Sequence, residues 1–209
     1  IGFGSLLTMP FSGIAAARFG CRRVLAVVSC IYALLLFLLS QIASLWLAVP
    51  ILLAFGAVMG MLDVTVNIQA VIVEKAAGRR LMSGFHALWS VGGFAGAGLF
   101  GVWLSLGLTP VQATFSASLL MAVLLAVFVR YLLPYGGGKE GAALFAVPRG
   151  IVAFVGVICC IAFLVEGAVM DWSGVFLTTL KQLDIAMAGT GFAVFSAAML
   201  LMRLTGDRL

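Results

Sequence analysis

Apolar residues along this chain come in long, uninterrupted runs. Seven stand out, at about 1–17, 24–40, 47–72, 82–106, 111–133, 150–177 and 185–204. Crossing the hydrocarbon core of a bilayer takes about 20 predominantly apolar residues in helical form. Each run therefore predicts a membrane-spanning helix, the first two being short for the task. Brief polar or Gly/Pro breaks separate the runs, among them Gly20-Cys21-Arg22-Arg23, Gln41 to Ser44, Gly78-Arg79-Arg80, Thr109-Pro110 and Thr178 to Asp184. The break from Pro134 to Pro148 is the longest. Its Gly136-Gly137-Gly138-Lys139-Glu140 stretch reads as a solvated linker between two bundles. The expected division is an N-terminal bundle at 1–133, a linker at 134–149 and the start of a second bundle at 150–209.

Composition excludes the soluble alternative. Hydrophobic residues make up 64% of the chain and charged residues 9%, with a mean hydropathy of +1.26. So few charges could not cover a water-facing surface, whereas lipid accepts apolar side chains outward. The fold class expected is an all-α membrane protein whose first partner is the lipid bilayer. The four cysteines, Cys21, Cys30, Cys159 and Cys160, include no CxxC pair and read as small hydrophobes. The chain opens inside an apolar run at Ile1 and breaks off on charged residues at Leu209, so it reads as a piece of a longer protein.

Charge then orients the helices. Arg18, Arg22 and Arg23 lie in or beside the first connection, and Lys75, Arg79 and Arg80 in or beside the third. Arg130, Lys139 and Arg149 flank the fifth, and Arg203 and Arg208 stand at the C-terminal end. All twelve cations except Lys181 thus fall on one side, as the positive-inside rule requires of cytoplasmic loops. The bias accounts for the net charge of +5, so nucleic-acid binding needs no separate weight. A bacterial inner membrane, with the basic loops in the cytoplasm, is the expected location.

The most specific local pattern is Gly13-Ile14-Ala15-Ala16-Ala17-Arg18-Phe19-Gly20-Cys21-Arg22-Arg23. It resembles the loop signature of the major facilitator superfamily, in which a Gly is followed by an Asp-Arg, a second Gly and a basic pair. Gly13, Arg18, Gly20, Arg22 and Arg23 match, while Ala17 stands where the acid is usual. A truncated echo, Gly206-Asp207-Arg208, ends the chain. Two copies either side of a Gly-rich linker are what parallel half-repeats would give. The resemblance implies that the chain covers helices 2 to 8 of a twelve-helix transporter. It also implies that the matching loop residues act as a latch, pairing at helix ends to favour one closed state. The bland reading is a basic turn that only sets topology.

Polar residues within spans are costly in lipid and so are functional candidates. Asp63 and Asn67 sit one helical turn apart on the third segment, about 6 Å along the axis. Glu74 beside Lys75 reads as a solvated interfacial charge. On the antiparallel fourth segment His86 falls near the depth of Asn67, and Trp89 and Ser90 near that of Asp63. These five residues, Asp63, Asn67, His86, Trp89 and Ser90, are expected to line one cavity for a small polar solute; a buried structural cluster is the competing reading. Glu166 on the sixth segment must either titrate or pair with a donor, and with Asp63 it is the candidate proton carrier. Asp171 and Trp172 read as an interface anchor. The glycines of the fourth segment (Gly92, Gly93, Gly96, Gly98, Gly101), like Gly56 and Gly60, are expected to let helices approach closely.

The Phe85-to-Ser90 and Glu166-to-Trp172 stretches resemble the sugar-permease-like and uncharacterised bacterial branches of the superfamily. The function so implied is proton-coupled movement of a small polar solute by alternating access. Efflux of drugs or metabolites is the alternative within the class. An intramembrane enzyme would need more than Ser90 four residues from His86, and a receptor or scaffold of the same fold is the remaining rival. No cofactor is expected, and a single His without Cys or acid at ligand spacing argues against a metal site.

Overall fold

The computed structural model describes residues 1–135, 149–184 and 189–206, and most of these are helical. The helices are α1 (Gly2–Phe19), α2 (Cys21–Leu39), α3 (Leu45–Ala77), α4 (Met82–Ser105), α5 (Pro110–Phe128), α6 (Ile151–Val175) and α7 (Thr190–Gly206). A 3-10 turn, Val129–Tyr131, prolongs α5, and a π turn, Phe176–Leu180, prolongs α6. Among the described residues there is no strand. Each helix corresponds to one apolar run, because in lipid a span must satisfy its backbone within itself. Five of them (α2, α3, α4, α5 with its 3-10 turn, α6 with its π turn) are long and apolar enough to cross a membrane. The chain is an all-α membrane protein. Residues 136–148 of the long connection lie outside the described residues.

Local chemistry sets the helix ends. Thr109 and Gln112 form a reciprocal capping box at the start of α5, with Pro110 in its first turn. Glu74 is not the solvated charge expected. Its Oε2 accepts the backbone N–H groups of Leu81 and Met82 at 2.7 and 2.8 Å. A carboxylate there satisfies otherwise unpaired donors and faces the positive end of the α4 dipole.

The described residues form two compact units. The first holds 1–82 and 92–135. Within it α1 lies against α3 so closely that a Cβ on Gly56 would meet the Ile1 carbonyl, and one on Gly60 the Ser5 backbone. Hydroxyls tie the contact, with Ser5 Oγ donating to Gly56 O (2.7 Å) and Thr8 Oγ1 to Ala57 O (2.6 Å). Helix α2 packs on α3 through stacked Tyr32 and Phe55, and on α5 through Phe37 and Phe115 edge to face. The second unit holds 83–91, 149–184 and 189–206, with α6 packed on α7.

The expected role of the α4 glycines is not met. A Cβ on Gly92, Gly93, Gly96, Gly98 or Gly101 would touch nothing within 4 Å among the described residues. Small residues permit close approach, but they do not supply the neighbour.

Candidate functional site

On α3 the spacing of four brings Asp63 and Asn67 together as expected. Asn67 Nδ2 donates to the Asp63 carbonyl at 2.9 Å and lies 3.4 Å from its Oδ1. Both line a groove of about 420 Å³ in the first unit, with Val64, Ile68, Ile72 and, at its far end, Lys75. One wall of α3 thus offers a carboxylate, an amide and an ammonium against aliphatic neighbours. His86, Trp89 and Ser90 are not among the residues that line this groove.

His86, Trp89 and Ser90 belong instead to the second unit. Ser83, His86 and Ser90 recur at helical spacing on one face of α4. Ser83 Oγ donates to the Arg203 carbonyl at 2.6 Å, and a Cβ on Gly206 would meet Ser83 Oγ. Arg203 Nη1 donates to Ser90 Oγ at 2.7 Å. Its Nη2 lies 3.9 Å from Glu166 Oε2, closing a chain Ser90–Arg203–Glu166. Glu166 thus stands beside a donor carried by this chain. Trp89 and Trp172 are exposed, and Asp171 lies further along α6 with its side chain exposed.

The sequence places Arg203 with the cytoplasmic cations at the end of the seventh run. In the structure it lies about 20 Å down α7 from Thr190, and Glu166 lies about as far down from Leu180. Helix α6 continues a similar distance beyond Glu166 to Ile151. Arg203 stands in the last turn of α7, as the sequence placed it, and its guanidinium reaches Glu166 near the middle of α6. Arg203 was the residue that sequence reasoning missed. The signal available was a lone Arg in an apolar run with a lone Glu in the run before it.

No protein-family model matches the chain, and no solved structure does. Curated proteins do. An uncharacterised MFS-type transporter of Yersinia pestis is 48% identical over 212 residues, covering all of this chain and 54% of that protein. The chain belongs to the major facilitator superfamily. An uncharacterised transporter of Sinorhizobium fredii is 33% identical over 215 residues, covering all of the chain and 56% of that protein. The membrane protein MosC of Rhizobium meliloti is 26% identical over 211 residues, covering 99% of the chain and 50% of that protein. The chain spans about half the length of these curated relatives.

The superfamily's signature loop has a definite structure here. Gly20 separates α1 from α2 at φ 82° and ψ 145°, and a Cβ there would meet the Pro134 carbonyl. Cys21 N–H donates to Tyr135 O at 3.1 Å, and Arg22 Nε donates to Leu132 O at 2.6 Å. Buried Gln69 of α3, in the amide orientation that satisfies both groups, accepts from Leu133 N–H at 2.7 Å and donates to Leu133 O at 3.2 Å. The loop thus binds Leu132 and Tyr135, and α3 binds Leu133 between them. Other expected latch residues behave differently. Arg18 lies over the Phe19 ring at 5.4 Å, Arg23 is exposed, and Gly13 has open space around it. Asp207 and Arg208 lie outside the described residues, while Gly206 is the last residue of α7.

Proposed function

We propose that the full-length protein is a secondary transporter that moves a small polar solute by alternating access, coupled to protons. The observation that carries this reading is the Glu166–Arg203 pair, 3.9 Å apart, with Glu166 near the middle of apolar α6 and Arg203 in the last turn of α7. Ionisable groups at such depth are costly in lipid and persist where a solute or proton path needs them. Glu166 is the proton carrier on this reading, with Asp63 the second acid. Ser90, His86 and Trp89 supply hydrogen-bonding and aromatic surface beside Arg203. On this reading 1–133 is an N-terminal bundle, 134–149 a cytoplasmic linker and 150–209 the start of a second bundle. The basic loops face the cytoplasm of a bacterial inner membrane. Relatives named as transporters, one of them an MFS-type transporter, support the class.

The test is uptake of pooled small polar solutes by the full-length protein in proteoliposomes. An acid-outside gradient is expected to drive accumulation of at least one solute above protein-free vesicles, and its collapse to abolish it. Accumulation only with an acid lumen would favour the efflux alternative. No movement of any solute in either direction would contradict the transporter reading.

A further inference from the structure

We infer that the signature loop of this chain works with Gln69 as a clasp on the segment leaving α5, built from hydrogen-bond donors and so independent of the acid that Ala17 replaces. Over its first three residues the gripped strap, Leu132 to Tyr135, has no N–H to spare. Leu132 N–H is taken by Val129 O, Leu133 N–H by Gln69, and Pro134 has none. What the strap presents is carbonyls, at Leu132, Leu133 and Tyr135. Each receives a donor from α2 or α3: Arg22 Nε at 2.6 Å, the Gln69 amide at 3.2 Å and Cys21 N–H at 3.1 Å. An ionised carboxylate accepts and does not donate, so it would find no partner among these three carbonyls. The grip needs donors, which the loop and α3 supply, and not a charge pair.

Both sides of the clasp are shaped in advance. Leu132 turns the chain out of the 3-10 turn at φ −67° and ψ 140°. Pro134 holds its own φ and biases Leu133 towards extended backbone, which stiffens the strap. Gly20, at φ 82°, leaves the notch that the Pro134 carbonyl fills. The same contacts finish two helices. Cys21 N–H is one of the unpaired donors at the start of α2, which has no side-chain cap. Leu132 O lies at the close of the turn that prolongs α5, where the Arg22 guanidinium faces the negative end of the dipole. Gln69 and Cys21 are buried, 5% and 0% exposed, so either would be left unpaired away from water if the strap lifted. Fastenings on successive residues of a stiff strap let go together.

The consequence is mechanical. The outgoing chain is bolted to α2 and α3 as well as continuing from α5, so displacement beyond Tyr135 acts on α3. Gln69 stands on that helix two residues from Asn67 and six from Asp63. Gln69 and Arg22 are thus positioning residues, which fix where the chain leaves the first unit and which helix bears the load.

The test is amide hydrogen exchange of the purified full-length protein in lipid nanodiscs, resolved at Leu133 and at Cys21. Gln69→Leu removes both bonds to Leu133 and none to Cys21. It is expected to speed exchange about tenfold or more at Leu133 and at Cys21 alike, because the strap leaves as a unit. Arg22→Met, which removes the bond to Leu132, is expected to do the same at both sites. Ala17→Asp is expected to leave both rates at their wild-type values. Amides of α3 around Gly60, packed under α1, report the fold and are expected to stay protected in every variant. If Gln69→Leu loosens those too, the half-buried Arg22 and its Met variant decide. Faster exchange at Leu133 with Cys21 unchanged would reduce the clasp to separate helix caps and overturn the inference. A changed rate at either site in Ala17→Asp would overturn its independence of the acid.

Discussion

Gly13 and Gly20 belong to the same loop signature but meet different surroundings. Gly20 combines a backbone conformation essentially reserved for glycine with a carbonyl where its Cβ would be. Gly20→Ala is therefore expected to cost about 1–3 kcal/mol. Gly13 is helical with open space around it, and Gly13→Ala is expected to be neutral or to stabilise by about 0.5–1 kcal/mol. Thermal melting of both variants checks the contrast; equal losses would contradict it. At this scale the sequence revealed Asp63 with Asn67, because a spacing of four is local geometry. It did not reveal Gln69, whose partner Leu133 is remote in the chain, nor the contact of Arg203 with Glu166 on the neighbouring helix.

Among the helices, close approach is decided by pairs of surfaces rather than by one sequence. Gly56 and Gly60 found a partner because α1 offers Gly4, Ser5 and Thr8 to the same face of α3. The α4 glycines, with the same spacing, meet nothing within 4 Å among the described residues. Gly60→Leu is expected to push α1 off α3 and cost about 1–3 kcal/mol or more. A melting temperature equal to wild type would refute that packing. Helix existence was legible throughout, since each apolar run became one helix. Two end contacts were not, because Glu74 on α4 and Gln69 on the α5 exit act across turns.

For the whole chain, hydropathy and cation placement predict a topology that labelling can test. With the native cysteines replaced, Leu108→Cys in the full-length protein is expected to react with an impermeant maleimide on intact cells. Arg79→Cys is expected to react only after lysis. The reverse pattern would invert the assigned orientation. The proposed function as a whole turns on Glu166 exchanging a proton as solute moves. The most direct measurement is lumenal pH, followed with a trapped dye, when a transported solute is added to proteoliposomes of the full-length protein. Wild type is expected to acidify the lumen as solute enters, and Glu166→Gln to move solute without moving protons. Equal acidification by both proteins would contradict the account.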